Sequence, residues 1–118
     1  MTLEKVKEIL KAKVVVGPEH IQMEIKMGCG CDLMSDVLAF IKSDSLLLTG
    51  LTNPQVIRTA EMADIKAICF IRDKKPNRET VELAKSKNLP LLLTTLPMFE
   101  ACGKLYKEGL VGCSEINE

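Results

Sequence analysis

The chain has 118 residues, 16 basic and 16 acidic side chains, and an apolar fraction of 47% that includes three Phe, one Tyr and no Trp. That length buries one core without disulfides or metal. The charge balance excludes the global field that draws proteins to nucleic acid or anionic membrane, and the scarcity of aromatics excludes stacking platforms for single strands.

In chain order, Thr2 caps a first helix that carries Leu3, Val6, Ile9 and Leu10 on one face. Lys13–Val16 is a β-branched strand ended by Gly17-Pro18, and the alternating Gln22–Met27 reads as a half-exposed strand. The short link between these two strands predicts that they are antiparallel. Gly28-Cys29-Gly30-Cys31 then forms a turn, and Asp32 caps a helix bearing Leu33, Val37, Phe40 and Ile41.

The strand Ser45–Thr49 leads to Thr52-Asn53-Pro54-Gln55, which has capping-box spacing with Thr52 as the cap; Val56, Ile57, Ala60 and Ala63 form the buried stripe of the helix. Ala67–Ile71 is continuously apolar, as a central parallel strand should be. Asn77 caps the next helix, Pro90–Thr94 is a strand, and Pro97–Tyr106 is a helix ending near Gly109. Three strand–helix units predict right-handed parallel crossovers. The fold class is therefore α/β: a three-layer α/β/α domain with a mixed, mostly parallel sheet of about five strands. One domain is expected over 1–118, with 113–118 a frayed tail.

Two stretches share one design, Leu46–Gln55 and Leu91–Phe99: an apolar strand closes in Thr, the chain turns, and a helix begins around Pro. Strand carboxyl ends beside helix amino termini are where open α/β sheets bind ligands. The candidate ligand-binding residues are Thr49, Gly50, Thr52, Asn53, Arg72, Lys74, Thr94 and Thr95. Threonines and backbone amides would orient a small anionic or nucleotide-like ligand, and Arg72 with Lys74 would neutralise it. Neither a P-loop nor Gly-x-Gly-x-x-Gly occurs, so ATP hydrolysis and dinucleotide binding by those routes are set aside.

Cys29 and Cys31, one residue apart before a helix start, are open to two readings. They are small turn residues, or they are a metal or redox pair with pKa values lowered by the helix. The sole histidine, His20, sits in a turn without a recognisable nucleophile, and no catalytic residues can be assigned. Cys69 belongs to the core, and Met23, Met27, Met34, Met62 and Met98 fill apolar faces.

Read together, Asp32–Leu38, Leu48-Thr49-Gly50-Leu51, Ile57–Glu61 and Met98–Tyr106 resemble the DRTGG domain family, closest to its small free-standing members. The resemblance implies a three-layer α/β/α fold similar to the amino-terminal domain of HPr kinase/phosphorylase. It also implies a regulatory role, since related domains are embedded in phosphotransacetylases and CBS-domain pyrophosphatases. Free-standing relatives are often associated with iron-only hydrogenase or serine-kinase-like genes.

The expectation is a non-catalytic regulatory or interaction module without a cofactor, cytoplasmic because no signal peptide or membrane span is visible and the cysteines are unpaired in pattern. It would be a homodimer built on the half-apolar Ile25–Met27 strand, with a small anionic ligand or a protein partner and no nucleic acid or membrane. The alternative is a metal or redox accessory protein, for example hydrogenase-associated, that uses Cys29 and Cys31.

Overall fold

A computed structural model describes residues 1–115. The elements are α1 (Leu3–Leu10), β1 (Lys13–Val16), β2 (Met27–Gly30), α2 (Met34–Phe40), β3 (Ser45–Thr49), α3 (Pro54–Met62), β4 (Ala67–Phe70), α4 (Arg78–Ser86), β5 (Leu91–Leu93), α5 (Met98–Lys107) and β6 (Val111–Gly112). Short 3₁₀ turns occupy Pro18–His20 and Cys113–Glu115. Of the expected tail, 113–115 thus form this turn, and residues 116–118 lie outside the described residues.

The strands make one mixed sheet in the order β1-β5-β4-β3-β2-β6, parallel throughout except for β1, which pairs antiparallel with β5. Hydrophobic cores form on both sheet faces. Leu3, Val6 and Leu10 of α1 and Ala101 and Leu105 of α5 pack on one, and Val37 of α2, Val56, Ile57 and Ala60 of α3 and Ala84 of α4 on the other. All four residues of β4 are buried, as its uninterrupted apolar run predicts for a strand covered on both faces.

Local chemistry explains the helix starts. Thr2 accepts a hydrogen bond from the Lys5 amide at 3.2 Å, and Asn77 Oδ1 accepts from the Thr80 amide at 2.9 Å. For α3 the cap is Asn53, whose Oδ1 accepts from the Gln55 amide at 3.1 Å, so the expected Thr52 cap shifts by one residue. Pro54 then occupies the first helical position, where its missing N–H costs nothing.

Three expectations for the amino-terminal third are overturned. Gln22–Ile25 is not in the sheet, because its backbone is taken by the start of α1: Leu3 N donates to Met23 O at 2.9 Å and Ile25 N to Met1 O at 2.7 Å. The strand lies further on, at Met27–Gly30, so Gly28-Cys29-Gly30 is strand and not turn. Its glycines serve close approach to α5 and the segment after it. A Cβ on Gly28 would meet Leu110 Cδ2 at 3.1 Å, and one on Gly30 would meet Cys102 Sγ at 2.7 Å. Finally, β1 and β2 are not neighbours; β1 is an edge strand and β2 lies near the opposite edge.

Asp32 does not cap α2; Leu33 occupies that position without a side-chain bond. Of the apolar residues expected to seat this helix, Val37 is buried, whereas Leu33 is 58% and Phe40 72% exposed. Met62 also lies on the surface. Ile25 and Met27 are buried, so they cannot offer the apolar strand face on which the dimer expectation rested.

Candidate functional site

Strands β2 to β5 point the same way, so the loops after them share one end of the sheet. The helix after β4 packs on one face and the helix after β5 on the other. The carboxyl ends of β4 and β5 therefore flank a topological switch point, the position at which open α/β sheets leave a crevice.

Backbone bonds tie the loops after β4 and β5 together at this point. The Arg72 amide donates to Leu96 O and the Asp73 amide to Thr94 O, both at 2.8 Å. To aim those amides at the loop after β5, Arg72 and Asp73 take left-handed conformations, with φ of 53° and 55°. Two consecutive non-glycine residues in this region are costly, and such strain concentrates at functional positions.

The next loops toward β2 are held by a carboxylate. Asp32 Oδ1 accepts from Thr49 Oγ1 at 2.8 Å and from the Gly50 amide at 2.7 Å, and Thr49 Oγ1 in turn accepts from the Leu51 amide at 3.1 Å. An internal anion thus takes up the donors that the turn after β3 presents. Sequence reasoning assigned Asp32 to a helix cap; the signal for its actual role is an Asp just past one strand facing a Thr-Gly turn after the next.

The eight candidate residues fall into two groups. Thr49 and Thr94 are buried, and their hydroxyls serve the fold: Thr94 Oγ1 donates to Leu10 O at 2.7 Å and accepts from the Leu96 amide at 3.3 Å. The Thr52 carbonyl accepts from Thr80 Oγ1 at 2.6 Å, and Asn53 is engaged as the α3 cap. Arg72, Lys74 and Thr95 are exposed, and the Lys74 stem lies beside Gly50, with Cδ 3.5 Å from where a Cβ would stand. Lys75 pairs with Asp73 at 3.6 Å, whereas neither Arg72 nor Lys74 meets a carboxylate among the described residues. The structure therefore brings Gly50, Lys74 and Asp32 together and keeps two unneutralised cations at the strand ends.

The cysteines behave differently from a helix-activated pair. Cys29 lies within a strand, and burial pushes its thiol up to about 11, with Cys113, Cys31 and Cys102 adding to the rise. The expected lowering fails at Cys29 because burial disfavours the thiolate. Burial likewise raises Cys69 to about 12, in keeping with its place in the core. Among the described residues, no group of three or more His, Cys, Asp or Glu is placed to hold a metal ion. The imidazole of His20 has no hydrogen-bond partner there either.

This is an open α/β domain with a polar switch point and without an assembled nucleophile–base pair among the described residues. The chain belongs to the DRTGG domain family, whose model matches residues 5–107. No curated protein matches the sequence. Among solved structures, the chain is similar to the CBS and DRTGG domains of the regulatory region of Clostridium perfringens pyrophosphatase, complexed with its activator diadenosine tetraphosphate. The identity is 15% and the TM-score 0.67, over 99% of this chain and 50% of that one. At that identity the likeness establishes the fold alone, and this chain spans half of the relative's length. No helix among the described residues is long and apolar enough to cross a membrane.

Proposed function

We propose that residues 1–118 form a single, non-catalytic regulatory domain that senses a small anionic or nucleotide-like ligand at the carboxyl ends of β3, β4 and β5. The observation that carries this reading is the pair of unneutralised cations, Arg72 and Lys74, beside the strained β4 turn and Gly50. In the proposed site these two supply charge. Thr95, Thr52 and Asn53 supply polar contacts around them, and Thr49, Gly50 and Thr94 set the turns on which they stand. Exposed guanidinium and ammonium groups fit phosphate oxygens. Family membership supports a regulatory role, and the related pyrophosphatase region, crystallised with a nucleotide activator, makes nucleotides the first ligands to try.

Isothermal titration calorimetry of the full chain with diadenosine tetraphosphate, ATP, AMP and acetyl phosphate tests the reading. Arg72→Ala and Lys74→Ala should each weaken the best ligand by roughly 10-fold or more, since a charge-assisted contact contributes about 1.5–3 kcal/mol. Parent-like affinity in both variants, or silence across the whole panel, would remove the site.

The domain is proposed to act in the cytoplasm as a homodimer. The support for pairing moves from Ile25–Met27 to the exposed Leu33, Leu38 and Phe40 around α2. Sedimentation equilibrium decides it: one monomeric species across the accessible concentration range refutes the dimer. The metal reading of Cys29 and Cys31 gains no third donor among the described residues.

A further inference from the structure

Four partly buried cysteines surround β2, and the ligand reading uses none of them. Strand β6 pairs with β2 in the register Met27↔Val111 and Gly28↔Gly112, and Cys113 follows at once as the first residue of the 3₁₀ turn, which brings it close to Cys29. The position of the Cys113 sulfur places it on the strand. Cys113 Sγ lies 3.6 Å from Ser45 Oγ, and Ser45 belongs to β3, on the other side of β2. The sulfur must therefore lie over β2. It does so on the face of Ser45 and Leu47, where Cys29, directly opposite Leu47, also projects. Both residues line one groove together with Phe40 and Lys42.

Cys31 is the poorer partner for Cys29. Its amide continues the ladder to Leu48 O at 3.0 Å, so the backbones of the two residues are spaced along an extended chain, about 6.6 Å apart at ~3.3 Å per residue. Its Sγ also donates to Leu33 O at 3.4 Å.

We propose that Cys29 and Cys113 are a reversible dithiol–disulfide pair, oxidised by a low-molecular-weight disulfide, which locks the terminal strand β6 to β2. The Cys113 thiolate attacks one sulfur of the oxidant RSSR, forming a mixed disulfide and releasing one RS⁻. The Cys29 sulfur then displaces the second RS⁻ from Cys113 and gives up its proton. The protein loses two hydrogens and RSSR becomes two RSH. Cys29 carries little thiolate at neutral pH because burial raises its thiol, so it does not start the reaction. Strand β6 contributes only Val111 and Gly112 to the sheet, so a covalent link there changes how firmly the edge is held.

The test incubates the reduced full chain with oxidised glutathione, alkylates the remaining thiols and maps the products by peptide mass spectrometry. The expected product is monomeric, lighter by two hydrogens and crosslinked between Cys29 and Cys113. Cys31→Ser should behave like the parent, and Cys29→Ser should trap one glutathione on Cys113. If Cys29→Ser loses the parent's far-ultraviolet dichroism, Cys29→Ala serves in its place. A Cys29–Cys31 link, an intermolecular link, or accumulation of mixed disulfides alone in the parent chain would overturn the proposal.

Discussion

Replacing Thr94 with valine keeps the shape of the side chain and removes one hydroxyl, which isolates the tie between the end of β5 and the end of α1. Leu10 is the last residue of α1, so its carbonyl has no partner inside the helix. Thr94 supplies one from 84 residues further along the chain, at 2.7 Å, and the same oxygen accepts from the Leu96 amide at 3.3 Å. Valine leaves the carbonyl and the amide without this partner. A buried unsatisfied group costs about 1–3 kcal/mol, and the longer amide bond contributes at the low end, so about 2 kcal/mol is expected in all. For a domain of this size that lowers the melting temperature by roughly 8 °C. Urea unfolding followed by circular dichroism should show the loss as a lower midpoint with an unchanged m-value. Thr94→Ser retains the hydroxyl and should lose less than about 1 kcal/mol, the value of one buried methyl group. Equal destabilisation by serine and valine, or a valine variant within about 0.5 kcal/mol of the parent, would refute the reasoning.

Gly30→Ala places a methyl 2.7 Å from Cys102 Sγ and 2.9 Å from Met98 Sδ, and such overpacking costs about 1–3 kcal/mol. Adding Cys102→Ala should recover most of that loss in a double-mutant cycle, and an additive result would show that the clash is not the cause. The thiols of Cys29 and Cys69 titrate higher in the folded chain than the ordinary 9.0, at about 11 and about 12, so their contribution is fully present below 9.0 and lost as pH rises through the folded values. Denaturant midpoints should therefore fall across that alkaline window, and the fall should shrink in Cys69→Ala; an equal slope in parent and variant would count against the buried thiol.

The parallel core was legible because its signals are local and agree with one another. Ser45–Thr49, Ala67–Phe70 and Leu91–Leu93 are short apolar runs, and each is followed by a helix whose start has its own chemistry. The register of the amino-terminal third was not. Gln22–Met27 alternates as a strand should, with Ile25 buried and Glu24 and Lys26 exposed, yet the Met23 carbonyl and the Ile25 amide are claimed by the start of α1. Period-two patterning reports which side chains face inward and is silent on what the backbone pairs with. Gly28-Cys29-Gly30 misleads for a related reason. Glycine marks turns through its backbone freedom, whereas here it marks a strand pressed by Leu110 and Cys102.

At the site, the cations Arg72 and Lys74 could be chosen from their place after a central strand. Nothing local announces that Asp32 would reach Thr49 and Gly50, or that Arg72 and Asp73 would turn left-handed to meet Leu96 and Thr94. Those contacts exist only once separate loops share one end of the sheet.

A single connection accounts for both unusual regions of this molecule. Had the chain after β5 continued as it did after β2, β3 and β4, its helix would have packed on the same face and the next strand would have extended the sheet beyond β5. Instead β1 already occupies that edge, antiparallel, and Thr94 fastens β5 to the end of α1. The chain must then leave over the opposite face. Segment α5 carries it back across the sheet to the one edge still open, beside β2. The reversal creates the switch point at which Arg72 and Lys74 stand, and the return sets Cys113 next to Cys29. The proposed ligand site and the proposed thiol pair thus lie at the two ends of the same crossover, 94–113. Loosening either end acts on the same helix. Titrating the nucleotide panel against the reduced and the oxidised chain would measure any coupling as a ratio of affinities, and a ratio of one would make the two devices independent.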